Sequence, residues 1–94
     1  MSSKTIKLAK AVVLNNLNKK EGLEEGTSRQ TLTILQPTKA QYDMFIILSA
    51  ETRPAYAIVY FAQLTEQDAM LLAPQDINNI LMTSLEFLYE FSGA

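Results

Sequence analysis

The chain contains no cysteine and no histidine. Without cysteine there is no disulfide framework, and no thiolate to ligate a metal or attack a substrate. Without histidine the commonest general base and the commonest metal ligand are missing. No apolar run reaches the length that spans a bilayer. Lys7 and Lys10 break any apolar core of a secretory signal near the start. No GxxxxGK or GxGxxG phosphate cradle, Ser-x-x-Lys pair or EF-hand spacing occurs. Ser28, Ser49, Ser84 and Ser92 therefore lack a partner that would make them nucleophiles. The adjacent acids Glu24 and Glu25 sit in a Gly-bounded loop and read as a solvated stretch, not an acid–base dyad. The expectation is a protein that is not an enzyme, with no catalytic residues, no metal and no cofactor. A cysteine-free chain is compatible with the cytoplasm, which is the expected location.

What is present is a globular composition. Of 94 residues, 48% are hydrophobic and 19% charged, enough for one α+β domain over 1–94. A chain of this size buries roughly 64% of its unfolded surface, so its core is thin. The net charge of −2 hides an asymmetry. Residues 1–20 hold Lys4, Lys7, Lys10, Lys19 and Lys20 and no acid, whereas residues 64–94 hold Glu66, Asp68, Asp76, Glu86 and Glu90 and no base.

The first helical pattern covers residues 4–20. Ile6, Ala9, Val13 and Leu17 recur at helical spacing, with Ser3 as cap, Lys19 and Lys20 at the negative end of the dipole, and Gly22 as stop. The polar stretch 22–29 reads as a loop. Residues 30–36 alternate, with Leu32 and Ile34 on one face and Thr31 and Thr33 on the other, as in a half-wet edge strand.

Residues 43–63 dominate the reading. Two runs rich in Ile, Val, Phe and Tyr flank the polar turn around Glu51, Thr52, Arg53 and Pro54, which predicts a hairpin with strands at 43–49 and 55–63. Further on, Thr65 caps a short helix at 65–72. Pro74 then opens a helix at 75–91, with an apolar face from Ile77 through Ile80, Leu81, Ser84, Leu85 and Leu88 to Phe91 and a frayed tail at 92–94. The expected order is α-β-β-β-(α)-α: a three-stranded antiparallel meander with the N-terminal and C-terminal helices on one face. That packing would bring the basic first element beside the acidic last one.

Both faces of the predicted hairpin are apolar, and the helices can cover only one. Large uncovered apolar patches mark interfaces. The expected function is therefore a regulatory or protein-interaction module that pairs with itself, a homodimer, and with a further protein partner. Phe45, Ile47, Tyr56, Ile58 and Tyr60 are the candidate dimer interface. The alternative is nucleic-acid binding: Lys4, Lys7 and Lys10 would form a basic ridge on the first helix, able to contact nucleic acid or an acidic partner, and Tyr56 and Tyr60 a stacking platform. The helix–three strands–helix order is similar to that of double-stranded-RNA-binding domains. The resemblance is one of order alone, because the lysine-rich start of their second helix is replaced here by Pro74, Gln75 and Asp76.

Overall fold

The computed structural model describes residues 3–91, except for the side chains of Leu88 and Phe91. Among these residues the chain forms β1 (Ser3–Val13), α1 (Asn15–Lys20), β2 (Ser28–Leu35), α2 (Lys39–Ile47), α3 (Arg53–Tyr56), α4 (Glu66–Ala69) and α5 (Pro74–Phe91). A π-helical turn, Ala57–Phe61, continues α3. The α+β class holds, but the only sheet described is a two-stranded antiparallel ribbon, β1–β2, and not a three-stranded meander. Ser3, expected as a helix cap, is instead the first residue of β1, while the tail at 92–94 and the facing of Leu88 and Phe91 lie outside the described residues.

Residues 4–20 do not form one helix. A second periodicity overlies the helical one: Thr5 and Lys7 are exposed, Ile6 is half-buried and Leu8 is buried, an alternation of period two. Thr5, Ile6, Val12 and Val13 are β-branched and favour the extended chain. Pairing with β2 decides between the two patterns, with Ser3 opposite Leu35, Lys7 opposite Thr31 and Val13 opposite Ser28. Between Lys7 and Val12 the register breaks, and residues 8–11 stand opposite Gln30 alone. Only the last part of the predicted helix survives, as α1. It ends as expected, with Lys19 and Lys20 in its last turn and Gly22 left-handed at φ 77°.

The strand predicted at 30–36 is β2, and its faces are as expected. Leu32 and Ile34 are buried, while Thr31 and Thr33 are exposed. The hairpin predicted at 43–63 is absent. α2 starts at a capping box: Thr38 Oγ1 accepts the Gln41 amide at 3.2 Å, and the Thr38 amide donates to Gln41 Oε1 at 3.0 Å. Pro54 sits in the first turn of α3, where a missing amide proton costs nothing. Both runs are helical pieces, with Phe45, Ile58 and Phe61 buried and Met44, Ile46, Ile47, Val59 and Tyr60 exposed, and periodicity alone does not separate such short apolar pieces from strands.

The short helix and the C-terminal helix appear as α4 and α5. Thr65 Oγ1 accepts the Asp68 amide at 3.2 Å, the expected cap. α5 packs against β1 and the π-helical turn. Leu8, Leu32, Ile34, Phe45, Phe61, Ile80 and Phe87 meet between these elements as the core. The charge asymmetry is resolved by contact: Lys4 Nζ lies 3.1 Å from Glu86 Oε2 and 2.9 Å from Glu90 Oε1. The basic partner in that contact is a strand, not a helix.

Candidate binding groove

α2 and α3 are held side by side by a short turn and one arginine. The amides of Thr52 and Arg53 both donate to the Ser49 carbonyl at 3.1 Å. Arg53 Nη2 donates to the Ile46 carbonyl at 3.0 Å, satisfying the last turn of α2, and the guanidinium lies 5.6 Å from the centre of the Phe45 ring. The sequence places Arg53 in the polar turn of a predicted hairpin. In the structure it is an internal strut.

Four aromatic rings step outward from the core. Phe45 and Phe61 are fully buried and 5.4 Å apart. Tyr56 lies 6.1 Å from Phe45 and meets Phe61 edge-on at 5.6 Å, and Tyr60 lies 4.4 Å from Tyr56. Tyr56 is half-buried and Tyr60 exposed. Burial pushes the Tyr56 phenol above its ordinary pKa, and the neighbouring Tyr60 adds to the shift. Tyr56 and Tyr60 were expected to share a strand face; they meet instead as neighbours four residues apart on a helical turn.

These tyrosines form one wall of an apolar groove of about 390 Å³, closed on the other side by Ala40, Gln41, Met44 and Leu48. Gln41 and Tyr60 also border a second, more polar recess of about 300 Å³ that includes Asn16, Lys20, Gln63 and Thr65. Its polar groups are bonded to one another. Lys20 Nζ donates to Gln63 Oε1 at 3.2 Å, and Asn16 Nδ2 donates to Thr65 Oγ1 at 2.9 Å and to Gln67 Oε1 at 3.1 Å. The divide between core and recess is unusual backbone: the π-helical turn closes with the Ala62 amide on the Ala57 carbonyl at 3.0 Å, and Gln63 follows at φ 58°. Both features concentrate at functional sites.

The predicted interface residues divide. Phe45 and Ile58 belong to the core of the single chain. Tyr56 and Tyr60 line the groove, and Ile47, at 73% exposure, projects from the end of α2 outside it. The basic ridge is not assembled. Lys4, Lys7 and Lys10 lie on a strand, where steps of three alternate faces, and Lys4 is held by Glu86 and Glu90 with its ammonium 5.0 Å from the Phe87 ring centre.

Sequence reasoning missed the roles of two aspartates. Asp76 and Asp68 stand in the first turns of α5 and α4, both buried, and each grips main chain of the N-terminal segment. Asp76 takes amides of Ala9 and Lys10, and Asp68 takes that of Leu17 at 3.0 Å, in the first turn of α1. The remaining buried polar side chain of α1, Asn18, accepts from Arg29 Nη1 at 3.0 Å and donates to the Thr27 carbonyl at 2.9 Å, which ties the connecting loop to β2.

Among the described residues, no three acids, histidines or cysteines gather as a metal site would require, and no helix is long and apolar enough to cross a membrane. Compared with known proteins, the chain matches no family model, no curated sequence and no solved structure.

Proposed function

We propose that the protein is a small, non-enzymatic protein-interaction module that acts as a homodimer and presents the α2/α3 groove to a second protein. The observation that carries the reading is the groove itself. Met44 is 47% exposed and Tyr60 49% exposed beside fully buried Phe45 and Phe61, so an apolar surface stands open on a rigid aromatic base. A groove between two helices suits the apolar face of a partner helix. Methionine adapts to varied partners, and tyrosine offers large contact area with few rotamers. The cytoplasm remains the proposed compartment, on the absence of cysteine.

The test is selection of binding peptides from a displayed random library against the intact chain. The selected sequences are expected to carry apolar residues at helical spacing. Tyr60→Lys should weaken their binding roughly thirtyfold, the ~2 kcal/mol of a hot-spot aromatic. Failure to select any peptide, or selected peptides indifferent to Tyr60→Lys, would contradict the groove.

A further inference from the structure

The apolar groove runs into the polar recess beside it, because Gln41 and Tyr60 border both. The recess has an uneven hydrogen-bonding balance. Two of its side-chain amides are fixed in orientation by partners that can only donate. The Thr38 amide donates to Gln41 Oε1 at 3.0 Å, and the Lys20 ammonium donates to Gln63 Oε1 at 3.2 Å. Both oxygens are engaged, so each glutamine is left with its NH2 group. Among the described residues neither of these NH2 groups has a partner. Asn16 gives its amide protons to Thr65 and Gln67 and keeps only its oxygen. Donors are therefore in surplus. Lys20 adds the charge. It is the only charged residue that lines the recess or the groove, and its bonded partner is a neutral amide. The neighbouring acids are occupied elsewhere. Glu21 is taken by Arg29 at 2.6 Å, and Asp68 is buried on the Leu17 amide.

We propose that the partner helix in the groove carries an acid at one end, and that this side-chain carboxylate enters the recess to accept from Lys20 and from the Gln41 and Gln63 amides. The inference rests on the groove reading and adds to it the charge and the polarity of the partner. A carboxylate accepts several hydrogen bonds and donates none, which matches a recess rich in donors. A bond from an ionised acceptor to an ammonium is also stronger than one between neutral groups. Tyr60 borders both spaces, so a residue about one helical turn beyond the one seated on Tyr60 reaches the recess. The whole chain carries a charge of −2, so the attraction is local, acting within about 8–10 Å at physiological salt. A nucleic-acid backbone would need a row of cations, and the recess has one.

The experiment uses peptides selected against the intact chain from a displayed random library. They are expected to carry Asp or Glu at a fixed spacing from their apolar residues. The tightest binder is synthesised with that acid and with the matching Asn or Gln. Both peptides are titrated against the intact chain and against its variants Lys20→Gln and Lys20→Arg. Lys20 is exposed, so neither change disturbs the core. Loss of the acid should weaken binding about fivefold on the unaltered chain and on Lys20→Arg, and leave binding to Lys20→Gln unchanged. Selected peptides that need Tyr60 but carry no acid would overturn the acidic partner while the groove stands. An acid worth as much on Lys20→Gln would do the same. Failure to select any peptide would overturn both.

Discussion

The Asp76 carboxylate, in the first turn of α5, accepts the amide of Ala9 at 2.6 Å. The two residues are 67 positions apart, and the bond explains the break in the ribbon. Residues 8–11 leave the ladder opposite Gln30, and amides freed there would otherwise be orphaned. Asp76 supplies the acceptor, with a longer bond of 3.4 Å to Lys10. Asp76→Ala is therefore expected to cost about 1.5–3 kcal/mol in urea unfolding, the worth of hydrogen bonds to a charged group. Asp76→Asn keeps one acceptor oxygen and should cost less. Equal stability of all three proteins would show that water satisfies the bulge.

Asp68 does for α1 what Asp76 does for β1. No side chain within α1 caps its start, and Asp68 Oδ2 accepts the Leu17 amide from across the fold. Asp68→Ala removes a cap and should cost about 1 kcal/mol. Its signature is local: amide exchange at Leu17 should accelerate more than at Ala9.

Phe45 and Tyr60 separate core from surface. Phe45→Ala should cost about 3–5 kcal/mol, because it empties a fully buried site against Phe61, Tyr56 and Arg53. Tyr60→Ala, at a half-open position, should change stability far less than this and act on binding instead. If Phe45→Ala left stability intact and altered only association, the residue would belong to an interface after all.

Alkaline pH should weaken the fold through two groups. Hydrogen bonds that Lys4 donates to Glu90 and Glu86 raise its pKa, and burial raises that of Tyr56. In each case the folded chain holds its proton more tightly than the unfolded chain. Their stabilising contributions are thus complete below the unfolded pKa values, near pH 10, and are lost as pH climbs through the folded ones. The thermal midpoint should fall above about pH 10. Lys4→Gln and Tyr56→Phe should each flatten part of that fall, and phenolate absorbance assigns the tyrosine share.

How much of this was legible in the sequence depends on the range of the deciding interactions. α5, α4 and β2 were readable because their signals are local: Pro74 at a helix start, the Thr65 cap, and alternation from Thr31 to Ile34. The N-terminal segment carried two periodicities, and its strand wins only through pairing with β2 and capture by Asp76, both long-range. The hairpin reading weighted the β-propensity of Ile46, Ile47, Ile58 and Val59 over two local helix signals that were present, the Thr38–Gln41 box and Pro54 with Ala55 and Ala57 behind it. Tertiary packing overrides β-propensity readily in such short apolar runs. For the groove, the right tyrosines were named on the wrong geometry. Met44, within the strand predicted at 43–49, was not among the interface candidates, and Gln63 carries no sequence signal for its left-handed backbone.

The groove can be tested directly with its own methionine. A methyl-labelled chain carries Met44 in the groove wall, while Met70 and Met82, at 85% and 51% exposure, stand outside it as internal controls. Titration with a selected apolar helical peptide, followed by methyl resonances, is predicted to shift Met44 and leave Met70 and Met82 in place. Movement of Met70 or Met82 with Met44 unchanged would contradict the account.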